Sequence, residues 1–489
     1  MKAFSTIALA AVPFVVAHGH DDARHLVARQ AASSASGAAS ATASGAVTSP
    51  AATGAAASSS ATFSLASSES TAVPLSSITA SATTNSASLP TLSSTFSAGA
   101  EPTAVSGAPP LPERAYMILV ACKHSNPVSI VNLKIADYPT LDRTPPTDSD
   151  EVKGWIEEVK NSGVDIPNIT PNVAGGCAAN AEAAKNESNC WWTCGGCTRD
   201  TDIVTCPEQK TWGLTFDDGP SPYTPALLNY LEEKDVKAAF YAVGSRVLSY
   251  PETLRYEYMT GHQIGAHTWA HPALTTLTND EIIAEFGWTR KVIREVIGVS
   301  PNTFRPPYGD VDDRVRAIAK AMGMYPVMWT RISAYQTFDT HDFDIQNGAI
   351  TVEGVLQEWN YIMNNASTLD TGFITLEHDL YQQTVEVSTG YILPDAIAQD
   401  YKLKTVVDCL NQPLENAYVE TNDNKTNPPA ASGSGVVTLS SGAPGSAQAT
   451  GAGSSGDSSG GDGAMGLNVG ASAALGMSIV ALVAGITLI

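Results

Sequence analysis

The chain has 489 residues, 27 of them Lys or Arg and 49 Asp or Glu, for a net charge of −22. Divided by segment the charge is −1 over residues 1–114, −19 over 115–420 and −2 over 421–489; no basic stripe exists to neutralise phosphates, which argues against a nucleic-acid partner. All eight Trp and all seven Cys lie between Cys122 and Cys409, confining the compact part to roughly residues 115–420, enough for one large domain or a domain with an extension.

Lys2, an apolar run to Val16 and the small residues around Ala17 predict a secretory signal peptide over residues 1–17. Residues 18–114 read as a Ser/Thr/Ala-rich stalk. Of the 80 residues at 31–110, 67 are Ala, Ser, Thr, Gly or Pro, and Glu69 and Glu101 are the only charges. Such a segment has too little apolar area to offset its ordering entropy, so it is expected to stay extended and O-glycosylated. Residues 115–204 form a Cys-containing N-terminal extension. In a secreted chain Cys122, Cys177, Cys190, Cys194, Cys197, Cys206 and Cys409 read as a disulfide framework, in preference to zinc or redox chemistry at Cys194-x-x-Cys197. Seven is odd, so at least one thiol is expected to stay free or to pair between molecules.

Residues 205–412 alternate strand-like runs (213–216, 238–243, 263–267, 303–305, 326–329, 373–377, 405–407) with helical patterns (225–233, 280–297, 312–322, 352–363). Strand then helix, repeated about seven times, predicts an α/β fold of parallel strands with crossover helices, and in a barrel built that way chemistry belongs at the C-terminal strand ends. Residues 413–463 are read as a second spacer. Small residues over 454–463 followed by an uncharged apolar run over 471–489 match a glycosylphosphatidylinositol-anchor signal, with 464–489 removed. The expected attachment residue is Ser459, within the small-residue window from Ser455 to Gly463. A spanning helix is the alternative, but it would carry Lys or Arg on its cytoplasmic side, and none follows the tail. Sequons mark Asn168, Asn186, Asn365 and Asn424 for N-glycosylation.

Four strand ends carry chemistry. Asp217-Asp218-Gly219-Pro220 places two carboxylates together, which repel unless a cation or strong base is close; alone, an Asp-Asp-Gly stretch is more often a turn. His267-x3-His271 is expected to occupy one helical turn and aim both imidazoles at one point, so Asp218, His267 and His271 would make a two-imidazole, one-carboxylate metal site with open positions. Arg305-Pro306-Pro307-Tyr308-Gly309 fixes the backbone with tandem prolines, and Glu377-His378-Asp379 ends a buried strand with a histidine. Each has an ordinary structural explanation by itself; their order and their common place at strand ends do not.

In these motifs residues 205–412 resemble the polysaccharide deacetylases of carbohydrate esterase family 4, the NodB-homology domain, and within it the fungal chitin deacetylases. The resemblance implies a distorted (β/α) barrel and residue roles. Asp217 would be the general base, and Asp218, His267 and His271 would bind one divalent cation, zinc or cobalt. Arg305 would hold and tune Asp217. The Tyr308 N–H would bind oxyanion and acetate, Leu376 would line the acetyl pocket, and His378 would be the general acid. The family's Asp-x-x-Asp-Trp motif has its nearest match in Asp339-Thr340-His341-Asp342-Phe343, which offers Asp342 as partner of His378 and puts Phe343 where the family has Trp. The implied reaction removes N-acetyl groups from cell-wall chitin, giving chitosan and acetate at the outer face of the plasma membrane. An esterase acting on acetylated xylan and a non-catalytic glycan-binding wall glycoprotein are the alternatives.

Overall fold

A computed structural model describes residues 63–82, 89–93, 105–108, 133–333 and 336–423. The signal peptide, Cys122 and Asn424 lie outside the described residues. So do the anchor signal and its expected attachment window, Ser455 to Gly463 with Ser459 inside it. The chain divides into two units, 1–451 and 452–489, and every described residue belongs to the first.

Strands β1 (Thr211–Gly213) and β2 (Thr215–Asp217) are one extended run shared between two sheets at Leu214, whose N–H donates to Lys404 O and whose carbonyl accepts from Ala239 N. From β2 the parallel order continues through β3 (Ala239–Ala242), β4 (Gln263–Ala266), β5 (Thr303–Phe304) and β6 (Tyr325–Pro326). The chain after β6 bridges Ile203 at Val327, then makes a short antiparallel hairpin, β7 (Arg331–Ser333) and β8 (Gln336–Thr337). Strands β9 (Phe373–Ile374) and β10 (Lys402–Lys404) flank β1 in parallel. Thr330 N–H donates to Ile374 O, and Asp217 bridges His378, so the ring closes on itself as a distorted parallel barrel. Helices such as Thr224–Glu233, Asn279–Ile297, Asp313–Ala321 and Val352–Ala366 make the crossovers that parallel pairing requires. The longest starts in a capping box between Thr278 and Glu281 and stops at Gly298 in the left-handed region, as those residues dictate. Phe216, Leu227, Phe240, Ile264, Ile293, Phe304 and Trp359 are buried along these elements, each contributing ~1.5–3 kcal/mol of burial free energy.

Among the described residues three disulfides form: Cys177–Cys194, Cys190–Cys197 and Cys206–Cys409. Cys194 and Cys197 thus pair with other cysteines, not with each other. Arg316 donates to the carbonyls of Cys190 (2.6 Å) and Cys197 (3.2 Å) and to Asp202 (2.8 Å), while Arg199 pairs with Asp313. A buried ion pair, Arg316–Asp202, and a part-buried one, Arg199–Asp313, therefore bind the extension to the helix Asp313–Ala321.

Several expectations need correction. The last strand is Lys402–Lys404, because the Thr405 side chain accepts from Asp408 N–H and starts a helix where residues 405–407 read as strand. The folded body runs past 412 to residue 423: Tyr418 is buried and its hydroxyl accepts from Ile264 N–H. Part of the stalk segment is packed, with Ile78 and Val105 buried against the core and Glu69 paired with Lys234 at 2.9 Å; scattered apolar residues within a small-residue background suffice to dock it. Asn168 and Asn186 are exposed, whereas Asn365 is half-buried and its Nδ2 donates to Tyr361 O at 2.8 Å. Among the described residues no helix is long and apolar enough to cross a membrane.

Candidate active site

Side chains from four strand ends meet in one cavity of about 200 Å³. Asp217 closes β2, and Asp218 follows with φ 74°. Neighbouring residues of a strand face opposite ways, so this left-handed step lets both carboxylates line the same cavity. The loop then turns at Gly219, where a Cβ would lie 2.4 Å from Asp379 Oδ2; only glycine fits.

His267 leaves β4, its Nδ1–H donating to Arg305 O at 2.7 Å, which fixes the tautomer with a bare Nε2 turned to Asp218. His267 Nε2 and His271 Nε2 each lie 3.2 Å from Asp218 Oδ1, and one ligand atom from each of the three residues falls within 4.8 Å of the others. Burial pushes the His271 imidazole down to about 4, against the pull of Asp218, so at neutral pH it is the neutral ring that a metal takes. Asp218 Oδ1 is buried without a hydrogen-bond donor. An orphaned carboxylate oxygen set between two imidazole nitrogens is the donor set of a divalent cation, and the residues fit one.

The two histidines do not share a helical turn. Thr268 and His271 have φ of 64° and 58°, and the loop between them is held by Glu285 Oε2, which accepts from Trp269 N–H (2.7 Å) and Ala270 N–H (2.9 Å). Glu285 is buried on the helix Asn279–Ile297, and burial raises its carboxyl to about 8 despite those two donors. The His-x3-His spacing succeeds through this clamp, with no helical geometry involved.

Arg305 leaves β5 into the barrel interior, 0% exposed. Its Nη1 donates to Asp217 Oδ1 (2.9 Å) and Thr215 Oγ1 (2.7 Å), its Nε to Val327 O (3.1 Å), and its guanidinium stacks over Tyr241. Asp217 Oδ1 is thereby occupied, leaving Oδ2 toward the cavity, 3.9 Å from His267 Nε2. Tyr308 sits in a left-handed turn with its hydroxyl 3.2 Å from His271 Nδ1.

His378 and Leu376 line the same cavity from the strand end paired beside β2. Asp342 grips His378 twice: Oδ1 accepts from Nδ1–H at 2.7 Å and Oδ2 from the backbone N–H at 2.9 Å. Burial alone would lower the His378 imidazole, but Asp342, with Asp218 and Asp217 behind it, lifts it to about 10. Phe343 packs against the His378 ring at 5.2 Å.

Asp217, Asp218, His267, His271, Tyr308, Leu376 and His378 all line the cavity, with Arg305 and Asp342 buried directly behind it. The sequence reading gave no role to Trp329, Asp339, His341 and Asp344, which also line the cavity, or to two carboxylates that hold the loops, Glu285 and Asp310. Asp310 had a signal, since it directly follows the Pro-Pro-Tyr-Gly turn; a Glu inside an apolar helix face was the only one for Glu285.

A family model described as Polysaccharide deacetylase matches residues 205–327. Chitin deacetylase 1 of Cryptococcus neoformans var. grubii is 53% identical over 357 residues, covering 72% of this chain and 71% of that one. The chitin deacetylase of Amylomyces rouxii is 32% identical over 319 residues, covering 59% and 74%. Among solved structures, the chitin deacetylase from Colletotrichum lindemuthianum matches at 28% identity with a TM-score of 0.40, covering 45% of this chain and 96% of that one.

Proposed function

Since the chain belongs to the polysaccharide deacetylase family, we propose that it hydrolyses the N-acetyl groups of N-acetylglucosamine units in chitin, releasing acetate and leaving chitosan. The observation that carries this reading is that Asp217 and His378, bridge partners at adjoining strand ends, line one cavity together with the Asp218, His267 and His271 cluster.

An amide is a weak electrophile with a poor leaving group. Asp218, His267 and His271 would hold a divalent cation, zinc or cobalt, which when bound would supply Lewis-acid polarisation of the acetyl carbonyl and a lowered pKa for water. Asp217 acts as the general base through Oδ2, because Arg305 fixes Oδ1 and keeps the carboxylate oriented. The Tyr308 N–H, in a turn stiffened by Pro306 and Pro307, binds the developing oxyanion; one such donor is typically worth ~10²–10³ in rate. Leu376 meets the acetyl methyl. His378 gives its Nε2 proton to the departing sugar nitrogen, its Nδ1–H being held by Asp342. Arg305 and Asp342 do not touch substrate and act as positioning residues.

Three disulfides suit an oxidising, extracellular setting. The signal peptide, the O-glycosylated stalk and the lipid-anchor signal extend this reading to an enzyme tethered at the cell surface beside wall chitin. The test is acetate release from N-acetylglucosamine tetramer by the purified chain, with metal content measured in parallel. Activity is expected with one divalent cation per chain, lost on chelation and abolished in Asp217→Asn. Turnover of acetylated xylan in preference to the tetramer would overturn the substrate, and undiminished Asp217→Asn activity would overturn the base.

A further inference from the structure

Beside the catalytic cavity lies a second and larger one, about 480 Å³, whose walls come largely from outside the barrel. One side is the N-terminal extension, residues 172–176 with Trp191 and Thr193; the other is the loop after β4, with Pro272, Ala273 and Thr276. His271 and Tyr308 line both cavities, so the two adjoin at these side chains.

The second cavity is built, not incidental. Asp310 at its base accepts four hydrogen bonds: Trp191 Nε1–H (2.7 Å) and Thr193 Oγ1 (3.2 Å) at Oδ1, and Thr275 N–H (2.9 Å) and Oγ1 (2.8 Å) at Oδ2. One carboxylate thus joins the extension, the loop after β4 and the Tyr308 turn. Gly309, with φ 65°, admits Trp192 against the same turn, where a Cβ would lie 2.3 Å from the indole. The Cys177–Cys194 bond ties the 172–176 loop to the 191–193 wall. Asn172 bonds Thr275 through both its backbone N–H and its Nδ2, each at 2.9 Å. Val173 is 61% exposed while its N–H and carbonyl are both held by the Asn180 side chain at 2.8 Å, so an apolar group is presented to the opening on a fixed backbone. Only four large apolar residues among the described ones are exposed, and two of them, Val173 and Tyr308, border this cavity.

We propose that this cavity is a polymer subsite, holding the pyranose rings of an N-acetylglucosamine chain as it runs out of the catalytic cavity, and that the N-terminal extension therefore sets the preference for longer substrates. The inference rests on the reading of the neighbouring site as a deacetylase of such chains. A pyranose offers apolar C–H faces with neutral hydroxyl and amide edges. The lining matches: Val173, Pro272, Ala273 and the Tyr308 ring are apolar, and Asn172 and Thr276 are neutral polar. Its one carboxylate, Asp310, already accepts two donors at each oxygen, which leaves no free carboxylate oxygen to hold a cationic ligand. With more than twice the volume of the catalytic cavity, it has space for about two further rings, within the usual range for a ligand site.

The experiment uses the full-length, metal-loaded chain and compares kcat/KM for acetate release from the N-acetylglucosamine dimer and pentamer. The parent is expected to favour the pentamer. Val173→Asp, an exposed position that does not threaten folding, is expected to cut the pentamer-to-dimer ratio about tenfold, mainly through KM for the pentamer. Ile135→Asp, which charges an exposed apolar residue outside the cavity, should leave the ratio as it was. Pentamer binding to the Asp217→Asn chain, followed by calorimetry, should weaken by a similar factor when Val173→Asp is added. Equal use of both lengths by the parent, or an unaltered ratio in Val173→Asp, would overturn the subsite. If no length releases acetate, the deacetylase reading fails; pentamer binding that Val173→Asp weakens would still support a glycan subsite.

Discussion

Replacing Asp342 by Asn removes a charge from behind His378 while keeping the shape of the side chain. The pair is tight: 2.7 Å between Nδ1 and Oδ1, with 12% and 1% of the two side chains exposed. Lifting the imidazole from 6.5 to about 10 corresponds to ~5 kcal/mol in favour of the protonated ring. Burial opposes that lift, so without the Asp342 charge the ring is expected to titrate near or below its ordinary value. At pH 7.5 the parent would hold nearly all of its acid protonated, and the variant about one-tenth or less. A bound cation repels the imidazolium and lowers both values together, so the difference between the two proteins persists. With one-tenth or less of its acid protonated, Asp342→Asn is expected to lose at least about tenfold in kcat at pH 7.5, out of the ~10²–10⁴ that general acid catalysis typically supplies. The assay is kcat against pH for acetate release from the tetramer. The alkaline limb of the variant should move toward acid by at least about two pH units, with part of the lost rate recovered near pH 5–6. A variant with its alkaline limb unmoved, or with kcat within twofold of the parent at pH 7.5, would refute the role of this charge pair.

Glu285→Ala leaves the Trp269 and Ala270 N–H groups buried without an acceptor and frees the loop between two ligands; metal affinity should drop ~10–100-fold by competitive chelator titration, and an unchanged Kd would show that the clamp is dispensable. His262 accepts from Ala238 N–H, and burial lowers its imidazole to about 3. Because this folded-state value lies below the ordinary 6.5, the unfolded chain takes up the proton first, and stability present above pH 6.5 is lost on acidification at up to ~1.4 kcal/mol per pH unit. His262→Asn, which keeps an acceptor, should flatten the denaturation free energy between pH 6.5 and 4.5; an unaltered slope would assign acid lability elsewhere. Removing the Cys206–Cys409 bond, which spans 203 residues, through paired Ala substitutions should cost up to ~5 kcal/mol on loop entropy, read as a fall in denaturation midpoint; no fall would mean that the ladder around β1 holds the ends without it.

The site was more legible than its scaffolding. Asp217, Asp218, His267 and His271 are legible as a set, because motifs that read singly as a turn or as surface histidines recur in order at the ends of apolar runs. What escaped is whatever acts through the backbone. Residues 267–271 look like a helical turn by spacing, and only the left-handed Thr268 and His271 with the distant Glu285 reveal a clamped loop. The last strand slipped to Lys402–Lys404 because alternation over so few residues does not separate a short strand from the first turn of a helix, and the Thr405 cap decided the matter. The packed pieces of the stalk escaped because composition averages over 80 residues, whereas docking needs only a few well-spaced side chains such as Ile78. Asp310 escaped because its four donors come from segments 35 to 119 residues away, and a contact of that range leaves no periodic trace.

The Cys206–Cys409 bond holds the two ends of the barrel with their Cα atoms 5.3 Å apart. If the chain is tethered by its flanks as proposed, a load on the tether pulls along the chain, and the direction of that pull matters. Traction between the flanks would first peel away residues 413–423 and the extension, then meet a covalent link before it reached the parallel strands. Tension is thus shunted around the catalytic ring instead of through it, and the metal-binding loops stay in register while the arms are drawn taut.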